Sequence, residues 1–436
     1  MQLTALLIFA LTYVLITARR LRWLPIGRPA GALLGALLMV VFGVLSPKQS
    51  YEAIDHDTIL LLFGMMLLTV YLERDGLFER LAALLLGVCR GPVHLLFLLC
   101  LMSGLLSALL MNDTICLFMT PLVVSMCMRA KLPMGPYLIG LASSANVGSA
   151  ATLVGNPQNM IIGSMSELSF SRFAFYAAPI AALGLLLNFA FLWLQYRRRL
   201  QSPVSEGHAS SRPSAGMAAV ESSVPESERM QWPMKLERLA LPAPSKLFWI
   251  DLALLALLLL LFFAGLHLAY TTLAVVTLRL LLDHKEPASA FAQLDWPLLV
   301  FFCGLFIAVH GLVSVGLVDA LWAQLGGYLR LDQSSGVAAF SATMSVGSNL
   351  VSNVPMTLVT GPHLHELGGT ERAWVLLAWT TTVAGNLTLM GSVANIIVAE
   401  RAKGHYELGY FEYLRFGLWA TPLLIAAGVL VLSWVH

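Results

Sequence analysis

Along the chain, apolar stretches of roughly 17 residues or more recur from end to end, and few of them contain a charge. Each is long enough to cross a hydrocarbon core of roughly 30 Å as a helix. Barrel strands would alternate apolar and polar positions instead of running continuously apolar, so the pattern predicts an all-α polytopic membrane protein. The first run, "LTALLIFALTYVLI", has no basic residue before it and is followed by "TARRLRWLPIGR". That order is the reverse of a secretory signal, so the run reads as the first span. The stretch "LLMNDTICLFMTP" (109–121) breaks the pattern by setting Asn112, Asp113 and Thr114 among apolar residues.

Composition agrees with the patterning. The 436 residues are 58% hydrophobic and only 11% charged, with mean hydropathy +0.79, far from a soluble domain. A net charge of +2 implies no nucleic-acid partner. The five cysteines (Cys89, Cys100, Cys116, Cys127, Cys303) lie in apolar surroundings without a CxxC pair, so neither a disulfide framework nor a zinc site is supported. No GxxxxGK[ST] loop is present, so uphill movement would draw on an ion gradient. No metal, organic cofactor or covalent catalysis is expected.

Residues 200–245 are rich in Ser, Pro and Glu and poor in aliphatic residues, the composition of a disordered linker. It divides the chain into 1–199 and 246–436, two transmembrane halves that repeat. "AIDHDTILLLFGMMLLTVYLERDGLFERL" (53–81) matches "QLDWPLLVFFCGLFIAVHGLVSVGLVDAL" (293–321) at an offset of 240, pairing Asp55 with Asp295, Gly64 with Gly304 and Gly76 with Gly316. "MNDTICLFMTP" matches "SNVPMTLVTGP" at 241, pairing Asn112 with Asn353 and Pro121 with Pro362. "ATLVGNPQN" (151–159) matches "LTLMGSVAN" (387–395) at 236 through Thr152/Thr388, Gly155/Gly391 and Asn159/Asn395.

Basic residues set the orientation. Arg19, Arg20, Arg22 and Arg28 place the first turn inside, with span 2 at about 29–46 and span 3 at about 58–73; Arg197, Arg198 and Arg199 place the end of the first half inside. Span 7 (about 247–264) then runs opposite to span 1, which makes the linker cytoplasmic and the repeat inverted, as in many secondary transporters. Arg90 and the Arg129/Lys131 pair both read as cytoplasmic, so residues 92–128 enter and leave on one side as a re-entrant hairpin with Asn112-Asp113-Thr114 at its tip. In "SSANVGSAATLVGNPQN" (143–159), Gly148, Gly155 and Pro157 interrupt a helix, and Asn146, Thr152, Asn156 and Asn159 add polar ligands. Such breaks offer carbonyls to a cation and N-terminal ends to an anion. The second half repeats this with Ser352, Asn353, Val354 and Pro355 at a tip and "TTTVAGNLTLMGSVAN" (380–395) as the interrupted helix. The sum is about ten spans, two re-entrant hairpins and two broken helices. Asp113 has Val354 as its counterpart, so only the first tip carries an ionisable group.

These motifs, "NDTICLFMTP", "SANVGSAATLVGNPQN", "SNVPMTLV" and "GNLTLMGSVAN", resemble the paired hairpin and broken-helix motifs of the ion transporter superfamily, which includes arsenite permeases, Na+/H+ antiporters, citrate transporters and divalent-anion/sodium symporters. The resemblance implies a first cation site at Asn112, Thr114 and Asn146–Asn156, and a second at Asn353, Thr357 and Gly385–Ser392, with substrate held between them. Within those ranges it brings in Gly148, Gly155, Asn386, Thr388, Gly391 and Ser392, with Asn159 and Asn395 just beyond. It also implies a homodimer in the plasma (inner) membrane. The symporters' Ser-Asn-Thr tip is replaced by Asn-Asp-Thr, closer to the arsenite permease pattern, and by Ser-Asn-Val-Pro.

The expected function is therefore secondary active transport of a small anion or oxyanion, coupled to Na+ or H+, by alternating access. Its rivals are a Na+/H+ antiporter, which would move Na+ with no anion requirement, and an arsenite efflux permease. Of other classes, an ion channel would never accumulate substrate, and a membrane-embedded enzyme would need a cluster of His, Asp or Glu facing one cavity. Taken singly, polar residues within spans are often packing glue, but matching helix breaks in both halves favour binding, and an intramembrane carboxylate is functional by default. His310 reads as packed or cavity-lining, "HLHE" (363–366) as an external loop without metal-ligand spacing, and Cys116 as ordinary packing.

Overall fold

In the computed structural model, residues 1–17, 27–201, 243–283 and 286–434 are described. Arg19, Arg20, Arg22 and nearly all of the 200–245 linker lie outside them. The first half contains α1 (Gln2–Thr17), α2 (Arg28–Val41), α3 (Pro47–Glu52), α4 (His56–Arg74), α5 (Leu77–Val88), α6 (Pro92–Leu109), α7 (Asn112–Arg129), α8 (Met134–Ser149), α9 (Pro157–Met165) and α10 (Phe170–Gln201). The second contains α11 (Lys246–Phe263), α12 (Leu268–Asp283), α13 (Ala288–Phe291), α14 (Trp296–Ser314), α15 (Leu317–Leu325), α16 (Ser334–Val351), α17 (Asn353–Thr360), α18 (Glu371–Ala384), α19 (Val393–Ala402) and α20 (Tyr410–Trp434).

Among the described residues there is no strand, and six helices (α4, α6, α10, α11, α14 and α20) are long and apolar enough to cross a bilayer, with α1 and α2 as shorter apolar helices. The chain is an all-α, multi-pass integral membrane protein.

The residues matched by offset 240 do matching work. Asp55 and Asp295 cap α4 and α14, each accepting a hydrogen bond through Oδ1, from Thr58 N at 2.8 Å and from Leu298 N at 3.1 Å. Capping satisfies one of the orphan N–H groups at a helix start. Gly76 (φ +80°) and Gly316 (φ +72°) make the left-handed turns that lead into α5 and α15. Gly64 and Gly304 give close helix approach: a Cβ would lie 2.5 Å from Thr272 Cγ2 at the first and 2.7 Å from the Ala32 carbonyl carbon at the second. Thr272 and Ala32 are themselves 240 apart, so α4 packs on α12 as α14 packs on α2.

Two three-helix groups result, α1/α2/α14 and α11/α12/α4, each completed by a helix from the other half. Small residues at their contacts let backbones approach where lipid offers no hydrophobic drive between helices.

One group is apolar and the other charged at the same place. Met39 fills the space over Gly311, whereas at the equivalent positions the Arg279 guanidinium lies 4.1 Å from the Tyr71 ring centroid. Arg279, 2% exposed, pairs with Asp251, with Asp75 at 3.2 Å and with Asp283 at 3.4 Å. A buried guanidinium is tolerated only with such partners, because its desolvation costs several kcal/mol.

Side-chain pairs fix which helix ends share a face. Arg74 donates to Gln293 Oε1 (3.1 Å) and Ser289 Oγ (3.2 Å), so the end of α4 meets the start of α14. Arg199 pairs with Glu412 at 3.5 Å, so the end of α10 meets the start of α20. Ser245 Oγ lies 3.4 Å from Asp75 Oδ1, putting the start of α11, on the C-terminal side of the linker, at the end of α4. Asp57–His267 (3.3 Å), Arg172–Glu371 (2.5 Å) and the His363 pairs with Asp319 (3.4 Å) and Glu366 (3.0 Å) belong to the opposite end.

Candidate functional site

Helices α6 and α8 run parallel: Tyr137 OH donates to Pro92 O at 2.9 Å near their starts, and Thr152 Oγ1 to Ala108 O at 2.6 Å near their ends. Since α7 connects them, it runs antiparallel to both, and α6–α7 forms a hairpin. Its tip meets the break after α8 through Asn112 N, which donates to Gly155 O at 2.9 Å. Gly148 is required because a Cβ there would run into the Gly104 backbone of α6.

The second half is built alike. Leu331 N donates to Leu367 O before α16 and α18 start, and Asn349 Nδ2 donates to Ala384 O at 2.8 Å near their ends.

Both breaks, 150–156 and 385–392, are held by one device. Asn159 Nδ2 donates to Ser149 O (3.2 Å) and Thr152 O (2.8 Å). Asn395 Nδ2 donates to Gly385 O (2.8 Å) and Thr388 O (3.0 Å), the positions 236 residues on. Thr152 reaches residue 108 and Thr388 reaches Asn349 Oδ1 at 3.4 Å, positions related by 241. A buried break leaves carbonyls without helical partners, and each one left bare would cost about 1–3 kcal/mol. The asparagine amides supply the missing donors.

The two breaks meet at Asn146. Its Oδ1 accepts from Asn112 Nδ2 (3.0 Å) and Ser392 Oγ (3.1 Å), and its Nδ2 donates to Asn386 Oδ1 (2.8 Å) and Asn395 Oδ1 (3.0 Å). Asn156 Nδ2 donates to Thr382 Oγ1 at 3.3 Å, and Gln158 Nε2 to the same oxygen at 3.1 Å. Asn146/Thr382 and Asn156/Ser392 are both related by 236, so Asn156–Thr382 and Ser392–Asn146 are one contact made in both directions.

Between the tips lies a cavity of about 30 Å³ lined by Asn112, Asp113, Pro157, Gln158, Phe301, Phe302, Ser352, Asn353, Val354, Ser392 and Val393. The first residues of α7, α9, α17 and α19 all border it, so four positive helix ends converge there. Among the described residues, no Lys, Arg or His lines it. Asp113, 7% exposed, also borders a vestibule of about 270 Å³ that reaches the surface at Gln293, Asp295, Glu400 and Arg401. That is the linker-flanked end of the molecule.

Other sequence-derived candidates lie near this centre with different contacts. Thr114 lines the vestibule and not the inter-tip cavity. Thr357 donates to Asn353 O of its own helix at 3.0 Å. Pro355 is on the first turn of α17, and Asn386 Nδ2 donates to Ser143 O at 3.1 Å. A Cβ on Gly155 would meet Ser107 O at 2.8 Å, and one on Gly391 would meet Gly385 O at 2.8 Å. Sequence reading missed Thr382 and Gln158, and also Ser107 and Ser348, two buried hydroxyls related by offset 241 that have no hydrogen-bond partner among the described residues. Extending the repeat alignment by a few residues finds the serine pair and the Asn146/Thr382 pair. His310 is half-buried on α14, and the cysteines are unpaired, all buried except the half-buried Cys303.

Helices interrupted at a polar centre, inside a multi-pass membrane protein, define a membrane transporter. The citrate transporter family model matches residues 11–384, and the chain belongs to that family. It is 32% identical to the silicon efflux transporter LSI3 of Oryza sativa subsp. japonica, over 98% of this chain and 97% of that protein. It is 30% identical to the putative transporter arsB of Dictyostelium discoideum (93% of this chain, 87% of that one) and 29% identical to a 46 kDa membrane protein of Mycobacterium leprae (98% of each). The family and the relatives named for transport are transporters, not enzymes.

Proposed function

We propose that the protein is a secondary active transporter that moves a small oxyanion or its undissociated oxyacid by alternating access, with Asp113 as the group that takes up the coupling Na+ or H+. The carrying observation is the inter-tip cavity, where four helix N-terminal ends and the Asn112, Gln158 and Asn353 amides surround a space next to one carboxylate. Donors converging without a basic side chain suit a small hydroxylated solute and not a tricarboxylate, and the relatives named for silicon and for ars genes point the same way. Net export is the direction we assign.

Buried oxygens without partners, Ser107 Oγ and Asn159 Oδ1 in the first half with Ser348 Oγ and Asn353 Oδ1 in the second, are the hard ligands a Na+ ion takes. The ten-span, inverted-repeat architecture with re-entrant hairpins belongs to the same reading. It is supported by the reciprocal Asn156–Thr382 and Ser392–Asn146 contacts and by the opposed directions of α4 and α14 and of α10 and α20. A homodimer in the plasma membrane follows from the family resemblance.

The test is transport by purified protein in liposomes, using silicic acid, arsenite and citrate under separate Na+ and pH gradients. Gradient-driven movement of silicic acid or arsenite, with citrate inert, is the expected result. Citrate movement alone would overturn the substrate class. Na+ movement driven by a pH gradient without any of the three would establish the second reading, a Na+/H+ antiporter, which the placement of Asp113 beside the vestibule carboxylates Asp295 and Glu400 favours.

A further inference from the structure

A cavity of about 800 Å³ lies away from the transport site, between the last turns of α10 and the start of α20. Among the described residues Arg197, Arg198, Arg199 and Arg415 line it with one carboxylate, Glu412; Arg198 is engaged elsewhere and Arg199 pairs with Glu412, which leaves Arg197 and Arg415 as the guanidiniums in excess. Glu412 is already engaged: Oε1 lies 3.5 Å from Arg199 Nη1, and Oε2 accepts from Tyr406 OH at 2.8 Å. Burial first, and then the neighbouring Glu412, push the Tyr406 phenol up, which keeps it a proton donor. Tyr196, 4% exposed, also lines the cavity, and its hydroxyl has no hydrogen-bond partner among the described residues.

Depth identifies the environment. Helix α10 has 32 residues, roughly 48 Å at 1.5 Å per residue, and the arginine turn begins roughly 40 Å along it. That exceeds a hydrocarbon core of roughly 30 Å and falls in the headgroup layer. Phe411, 79% exposed, and Trp419, 74% exposed, stand near the cavity on α20, where interfacial aromatic rings meet lipid.

We infer that this cavity is a binding site for the phosphate headgroup of an acidic phospholipid. Surplus guanidinium charge at headgroup depth, with a polar hydroxyl left over for a phosphate oxygen, is the chemistry that retains such a lipid. The site also touches the transport machinery: a Cβ on Gly135, in the first turn of α8, would lie 2.8 Å from Tyr406 OH and 2.5 Å from Glu412 Oε1. The cavity wall therefore bears on the helix that carries Asn146.

Native mass spectrometry of the detergent-solubilised full-length protein, titrated with phosphatidylglycerol and with phosphatidylcholine, tests this. Wild type should retain one phosphatidylglycerol tightly and no phosphatidylcholine, and excess inorganic phosphate should not displace it. R197Q/R415Q should bind phosphatidylglycerol ~30-fold more weakly, at roughly five-fold per arginine, with an unchanged melting temperature. E412Q, which keeps the hydrogen-bonding shape and removes the lone negative charge, should bind it more tightly, and decides the matter if the double variant does not fold. Equal binding of the two lipids, wild-type affinity in R197Q/R415Q, no tightening in E412Q, or displacement by inorganic phosphate, which would make this a soluble-anion site, would each overturn the assignment.

Discussion

Asp113 and Val354 occupy the same place in the two hairpins, on the first turn after the tip, and each is 7% exposed. One tip buries a carboxylate and the other a valine. The second tip departs from regular backbone instead: Ser352 sits at φ +70°, ψ +160°, a region that costs a non-glycine residue about 1–3 kcal/mol. The first tip, Leu110 and Met111, is ordinary extended chain. Since the hairpin closes without an acid in one half, hairpin geometry does not require Asp113 in the other. The three-helix groups differ likewise, with Met39 over Gly311 in one and Arg279 over Tyr71 among three carboxylates in the other. Matched backbones thus carry charge at one member of each pair, which separates what the architecture needs from what has been added to it.

The largest effect should come from moving the charged helix group towards its apolar equivalent. Arg279→Met leaves Asp251, wholly buried, without its cation, and should lower stability by about 3–5 kcal/mol. Adding Asp251→Leu should recover most of that, because apolar replacement of a buried ion pair is often neutral. Thermal unfolding in detergent reads both, and a double variant no better than the single would mean that the charges themselves hold α4 on α11–α12.

Next in size are the two asparagine clamps. Asn159→Ala and Asn395→Ala each strip the donor from two buried carbonyls, at about 1–3 kcal/mol apiece, and Asn395→Ala should lose more in the same unfolding assay, because its Oδ1 also accepts from Asn146 Nδ2 while the Asn159 Oδ1 has no partner among the described residues. A negligible loss in either variant would break the correspondence between the two interruptions.

The tips should respond unequally to one substitution. Both Asn112→Ala and Asn353→Ala should cut transport while leaving the protein inserted, but Asn112→Ala should do more, because Asn112 bridges to Asn146 whereas the Asn353 amide oxygen has no partner. Liposome uptake rates decide it, and near-normal rates in both would reduce these residues to packing. Smallest is Ser352→Gly, which should raise stability by about 1 kcal/mol by relieving the left-handed backbone. No gain in melting temperature would mean that the second tip is not strained.

Much of this comparison is legible in the sequence. Asp55/Asp295, Gly64/Gly304 and Gly76/Gly316 align by register alone, and each pair has one structural job: a cap, a close approach and a left-handed turn. Asn159/Asn395 likewise announce the clamps, because amides recur where glycines interrupt a helix. Arg279 was not legible. Its partner Asp75 is 204 residues away, and only the packing of one half's helix into the other's group brings them together. Ser107 and Ser348 were missed because a lone serine in an apolar helix looks like packing glue until its hydroxyl is seen to lack a partner. Thr382 is an unlike residue at a like position, so matching by identity passes over it.

The central claim is that Asp113 couples the ion to the solute. The direct measurement compares Asp113→Asn with wild type in proteoliposomes, recording solute movement under imposed Na+ and pH gradients and, separately, equilibrium exchange without a gradient. Asparagine preserves shape and hydrogen bonding and removes the charge, so the account predicts an inserted variant that still exchanges solute but no longer accumulates it with either gradient. Accumulation with unchanged Na+ and pH dependence would contradict it and return the coupling site to the neutral oxygens of the two breaks.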